Sequence, residues 1–219
     1  MRCSSRREAY DARPDALGPG VADVAARVSL AIVSWMVRHL LLIIALAMAL
    51  YVALPLLAPW LLYRGHQGGA QAIYTLFRPL CHQLPERSFF LFGEQSTYSA
   101  RELATSLGGA VPARFVGNPV LGYKVAVCQR DVAIYGSMLL ALATLGPIAR
   151  RLRAWPAWVL ALSAAPMAVD GLGQLVGLWQ SSPWSRVLTG ALFGLGLVRW
   201  GLPHLSRALA SAQEIGIEP

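Results

Sequence analysis

Twenty-three consecutive residues without a charge, Leu40–Leu62 (LLLIIALAMALYVALPLLAPWLL), constrain this chain more than any other stretch. At about 1.5 Å of rise per residue, a helix of that length covers roughly 30 Å of hydrocarbon. In lipid a helix pairs its backbone N–H and C=O groups within itself, so the run reads as a membrane span. A cleaved signal peptide fits less well. The segment ahead is long, the run exceeds the ~7–15 apolar residues usual for such peptides, and no A-x-A site follows. Pro55 and Pro59 are expected to kink or unwind the last two turns.

Three more apolar segments follow, with spans expected at about 132–148, 155–179 and 187–202. Only 14% of the chain is charged, against about 25% in soluble domains, and 56% is hydrophobic, which is the balance of a polytopic membrane protein. The expected fold is all-α, with four transmembrane helices and a long extramembrane segment, 63–131, between the first and second. Residues 1–20 read as a disordered tail, 21–203 as the four-span membrane domain and 204–219 as a C-terminal tail. Within the extramembrane segment, Thr97–Leu107 has a helical pattern, with Thr97 or Ser99 as N-cap and Gly108-Gly109 as its stop.

The formal charge is +8. The arginines that dominate it flank apolar runs instead of lining a polar face, which points to lipid headgroups and topology and away from nucleic acid. Arg2, Arg6, Arg7, Arg13, Arg27 and Arg38 precede the first span, Arg150, Arg151 and Arg153 follow the second, and Arg207 follows the fourth. With four spans these fall on one side. The positive-inside rule then predicts a multi-pass protein of the cell membrane, with both termini cytoplasmic and residues 63–131 outside.

Two polar clusters lie in or beside that outer segment: Cys81–Gly93 (CHQLPERSFFLFG) and Cys128–Ser137 (CQRDVAIYGS). On an oxidising side Cys81 and Cys128 can form a disulfide. The alternative is a metal site from Cys81, His82 and Cys128, whose soft sulfur and nitrogen donors suit zinc or copper. The spacing alone chooses neither, since there is no CxxC, CxxCH or HExxH. Glu86-Arg87 and Arg130-Asp131 are adjacent acid/base pairs. They can tie the two clusters together by salt bridges, or Arg87 or Arg130 can hold an anionic headgroup or carboxylate in its planar fork.

Asp170 lies inside an apolar segment, where a carboxylate needs a partner, water or a proton. Gln174 shares its helical face. Arg186 opens the last span on the same side, so a polar pocket lined by Asp170, Gln174 and Arg186 is expected, roofed by the cysteine clusters. An Asp170–Arg186 pair is its structural alternative. No nucleotide loop or Ser/His/Asp arrangement is visible.

These stretches, with PMAVDGLGQL (166–175) and SRVLTGALFG (185–194), resemble the prokaryotic predicted membrane proteins grouped as domain of unknown function 2085. The resemblance covers about residues 74–198. It implies that Cys81, His82, Arg87, Cys128 and Arg130 are the family's hallmark residues. This chain departs from the pattern in that Ser96–Val127 separates two motifs usually only a few residues apart. The resemblance implies a site and no specific activity.

The expected function is that of a binding or assembly protein, whose outward Cys/His/Arg site takes a metal, a lipid headgroup or a partner subunit. A thiol-redox enzyme using Cys81 and Cys128, for instance against a quinone, and a small oligomeric transporter are the alternatives. The expected partners are the lipid bilayer and a membrane-protein partner or second copy.

Overall fold

The structure is a computed structural model that describes residues 21–112 and 114–214. The expected disordered tail, 1–20, lies outside the described residues, as do Cys3 and residues 215–219. The chain divides into two compact units, Met1–Leu40 with Leu209–Pro219, and Leu41–Ala208. The first is helical over 21–40 and 209–214. The second holds both cysteine motifs.

Six helices are described: α1 (Val21–Tyr63), α2 (Gln67–Phe77), α3 (Ala100–Ser106), α4 (Gln129–Leu145), α5 (Ala157–Leu175) and α6 (Pro183–Glu214). Among the described residues, three segments are long and apolar enough to cross a membrane: His39–Tyr63, Gln129–Arg151 and Ala157–Leu175. They overlie the first three expected spans. The fourth expected span, 187–202, falls inside α6, which is 32 residues long but is not among the three. Arg186, Arg199, His204 and Arg207, with four glycines, dilute its hydropathy. The helix also continues through 204–214, residues expected as a tail, where Leu205, Ala208, Leu209 and Ala210 favour it. Pro55 and Pro59 do not unwind α1, which continues to Tyr63 with both prolines buried.

The fold is mostly helical but not all-α. The segment between α1 and α4 carries a three-stranded antiparallel sheet of β1 (Ser88–Leu91), β2 (Gly117–Asn118) and β3 (Gly122–Cys128), in the order β1-β3-β2. Tyr123, Val125 and Val127 supply the β-branched and aromatic residues that suit a pleated surface. Asn118 Oδ1 accepts from the N–H groups of Val120 and Leu121 and closes the turn between β2 and β3. Gly122 sits at φ +79 against Leu91 O and the backbone of Gly93, so a side chain there has no room. At α3 it is Ser99 that caps the helix. Its hydroxyl accepts from Glu102 N at 3.2 Å, and Glu102 Oε2 accepts from Ser99 N at 2.6 Å, a reciprocal capping box.

A core of Ala58, Ala70, Ile73, Tyr74, Phe77, Cys81, Val125, Ala126 and Val127 joins the end of α1, α2 and β3. A smaller one, Phe90, Tyr98, Leu103 and Leu121, lies between the sheet and α3. Leu142, Ala149 and Leu202 form a third, with Leu41, Ile44 and Val198 packed on it. Large apolar side chains on the long helices point outward, among them Leu46, Leu140, Leu162 and Leu188, as lipid-facing surfaces do.

Candidate functional site: a thiol–carboxylate cluster beside an arginine cleft

Cys128 is the last residue of β3 and the N-cap of α4, a position that turns its sulfur back onto the helix start. Its Sγ accepts from Asp131 N at 3.4 Å. Cys81 follows α2, whose last turn holds it through a Cys81 N to Phe77 O bond of 3.0 Å. Cys128 N donates to Cys81 Sγ at 3.3 Å. The two sulfurs and a carboxylate oxygen of Asp131 all lie within 4.8 Å of one another, and both cysteines are free thiols. The insert between the two motifs folds into α3, β2 and most of β3 and returns Cys128 to Cys81.

The loop after Cys81 is built to serve its sulfur. Gln83 adopts φ +54, a left-handed conformation uncommon for a residue with a side chain, and its backbone bonds the sulfur of Cys81. A ring of hydrogen bonds fixes that loop. Tyr74 Oη donates to Lys124 O at 2.5 Å, Lys124 Nζ donates to Gln83 O, and Gln83 Nε2 donates to Tyr74 O at 2.8 Å. The hydrogen bond from the Cys128 thiol, helped by the Gln83 backbone, holds the Cys81 thiol below its ordinary range, whereas that same bond and burial push the Cys128 thiol up. The pair is therefore asymmetric, with Cys81 the better thiolate. His82 is exposed and stands outside the donor group, in which Asp131 takes the third place.

The acid/base residues do not pair as their adjacency suggests. Among the described residues the ion pair is Arg130 Nη2 to Asp170 Oδ2, at 2.5 Å, joining the first turn of α4 to α5. Asp170 also accepts from Ser181 Oγ at 2.5 Å and Ser185 Oγ at 2.7 Å, which answers the need of a carboxylate within an apolar helix. Arg186 does not bond Asp170. Its Nη1 donates to Gln129 Oε1 at 3.1 Å and to the Glu86 carbonyl at 3.3 Å. Gln129 is fully buried and completes the bridge by donating from Nε2 to Ser88 O at 3.1 Å. The second motif is thus fastened to the first through Gln129 and Arg186.

Arg87, Gln174 and Arg186 line one cleft of about 720 Å³, together with Glu86, Glu102, Trp179 and Ser181. Asp170 lies behind it and borders a separate groove with Pro166, Val169 and Thr189. The Nε atoms of Arg130 and Arg186 are buried with no hydrogen-bond partner among the described residues. Gln129, Ser181 and Ser185 thus join the expected residues, while Asp131, expected in an acid/base pair, lies beside the thiols instead. The signal for Gln129 was its place inside CQRD. The serines gave none, because their role depends on how α5 turns into α6.

Residues 119–199 match the model of the family described as "Predicted membrane protein (DUF2085)". The chain is also similar to "Uncharacterized protein MJ1492" of Methanocaldococcus jannaschii, 28% identical over 176 residues, which is 77% of this chain and 93% of that protein. No solved structure matches. The matched stretch, residues 119–199, includes Cys128, Arg130, Asp170 and Arg186, and it agrees with the resemblance that the motifs carry.

Proposed function

We propose that this protein is an integral membrane binding protein that captures a soft transition-metal ion at Cys81, Cys128 and Asp131. The observation that carries this reading is the convergence of the three donors within 4.8 Å. Two sulfurs bound to one tetrahedral zinc, each at about 2.3 Å, sit close to 4 Å apart, and a carboxylate oxygen is an ordinary third ligand. Zinc fits this donor set best; copper(I) prefers sulfur alone. Three protein ligands leave a fourth position open, as suits capture and release of a metal more than a closed structural site. N–H groups aimed at both sulfurs favour their ionised, ligating form.

Titration of the purified full-length chain with Co²⁺, which reports thiolate ligation by a near-ultraviolet charge-transfer band, tests this. One equivalent is expected to bind, the band is lost in Cys81→Ser or Cys128→Ser, affinity falls at least tenfold in Asp131→Asn, and His82→Ala retains binding. A band that persists in Cys128→Ser sinks the reading.

A dithiol–disulfide couple is the second reading, favoured by the asymmetric acidity of the two thiols. On forming the disulfide the pair gives up two electrons and two protons, which a quinone can accept to become a quinol. In either case α6 is read as the fourth span and the thiol cluster as facing outward at the cell membrane. The support for α6 is its side-by-side course with α4. A Cβ at Gly190 would lie 3.0 Å from Arg130 O, and one at Gly194 would lie 2.5 Å from Ile134 O. Leu202 packs with Leu142 and Ala149.

A further inference from the structure

Cys81 also borders a cavity of about 350 Å³, away from the three metal donors' shared centre in chemistry if not in distance. Gln71, Tyr74, Arg78, His82, Arg114 and Lys124 contribute to its wall, and no carboxylate does. Its three strongly basic residues come from separate parts of the extramembrane segment. Arg78 is the C-cap of α2, Arg114 lies in the loop before β2, and Lys124 is in the middle of β3. Arg78 and Arg114 are exposed, whereas Lys124, the single lysine of the sequence, is only 2% exposed.

A lysine is almost never buried without a partner of opposite charge, because removing an ammonium from water is costly. Here the ammonium donates to the Gln83 carbonyl, a neutral acceptor, and it carries three donor hydrogens in all. The hydrogen-bond ring through Tyr74 and Gln83 holds it in place against the cavity. Burial pushes it down to about 8, so that at neutral pH it remains charged. The guanidinium groups of Arg78 and Arg114, which also line the cavity, add planar donor forks of the kind that take carboxylate and phosphate groups.

We propose that this cavity binds a small oxyanion, a phosphate or carboxylate group, held by Lys124 with Arg78 and Arg114. The site is separate from the metal reading, since none of these three residues is a donor in the thiol cluster. An anion here adds to the negative groups, Cys81 and Glu86, whose fields already favour the Lys124 ammonium, and places its oxygens beside Cys81.

The test is equilibrium dialysis of radiolabelled inorganic phosphate against the full-length chain in nanodiscs of phosphatidylcholine, at constant ionic strength. Saturable binding of one phosphate per chain is expected. It should weaken at least tenfold in the Arg78→Gln/Arg114→Gln double variant, whose side chains are exposed, and in Lys124→Met. Nanodiscs containing phosphatidylglycerol separate the two sources of such a group. Suppressed phosphate binding there assigns the site to an anionic lipid headgroup, and unchanged binding assigns it to a free anion. Cobalt binding measured on the Arg78→Gln/Arg114→Gln double variant, which leaves the ring through Lys124 intact, is expected to stay as in the wild type, so the two sites stand or fall separately. Absence of saturable binding in phosphatidylcholine discs, or binding unchanged in the double variant, overturns the proposal.

Discussion

Cys81 receives more donors than a buried cysteine needs for packing: Cys128 N–H, the Cys128 thiol and the Gln83 backbone all address its sulfur. Each favours the thiolate, and together they outweigh the burial that opposes it. The alkylation rate of Cys81 by iodoacetamide, followed peptide by peptide in metal-free protein, is therefore expected to reach half its maximum at a pH below that of an ordinary thiol. Cys128→Ala removes the largest contribution and should move that midpoint upward. An unmoved midpoint would remove the basis of the dithiol reading. The same shift has a definite sign for stability. A folded state whose thiol is more acidic binds fewer protons than the unfolded chain between the two pKa values, so folding gains as pH rises through that interval and loses as pH falls. At this scale the sequence was a good guide to residue identity and a poor one to partners. The motifs pointed to Cys81, Cys128, Arg130 and Asp170, but the Arg130–Asp170 pairing needs α4 beside α5, a relation between residues 40 apart that no local pattern encodes. His82, next to Cys81 in sequence, is exposed and outside the donor group.

Among the elements, the close approach of α4, α5 and α6 decides whether the site can form. Gly190 and Gly194 are one GxxxG step apart on α6, and small residues at that spacing let membrane helices approach backbone to backbone. A side chain at Gly194 would meet the Ser137 hydroxyl and Ile134 O, the latter at 2.5 Å, and a helix backbone cannot yield locally. Gly194→Val should therefore force α6 from α4, at a cost of roughly 1–3 kcal/mol or more from overpacking. Thermal unfolding in detergent should show a clear drop, with a smaller one for Gly190→Ala, where the nearest backbone oxygen is at 3.0 Å. Equal stability of Gly194→Val and wild type would mean that the helices do not pack this way. The long helices were legible because uncharged apolar runs admit few alternatives. The sheet was not. β1 and β2 have four and two residues, and the turn formers around them read equally well as loop. The β-branched and aromatic run Tyr123-Lys124-Val125-Ala126-Val127 was the available signal, and the lysine at its second position masked it by breaking the apolar run.

For the whole molecule the open quantity is the number of crossings, and the packing sets the expectation. Arg130 and Gln129 open α4 at the end where Asp170 nears the close of α5 and Arg186 nears the start of α6. At the other end Leu41 and Ile44 of α1, Leu142 and Ala149 around the close of α4, and Val198 and Leu202 of α6 share one core. Within the unit 41–208, α1 and α5 therefore run toward the thiol cluster, and α4 and α6 run away from it. That far end carries the arginines of the short loop after α4 and of the second half of α6. Arg199 Nη1 donates to Arg153 O at 2.8 Å and its guanidinium stacks 4.3 Å over Trp155, while Arg207 donates to Leu152 O at 3.4 Å. Arginines in short loops are those that the positive-inside rule expects on the cytoplasmic side. On the reading proposed above, a helix that tracks α4 from the thiol end to the arginine end is expected to cross the same thickness, even though its polar residues lower its mean hydropathy. Fluorescent-protein fusions, which fluoresce only when folded in the cytoplasm, are thus expected to light up at both termini. Gln95→Cys, in the exposed loop after β1, should react in intact cells with a thiol reagent that does not permeate the membrane. A dark C-terminal fusion together with a fluorescent N-terminal one would leave α6 outside the set of crossings and reduce the bundle to three.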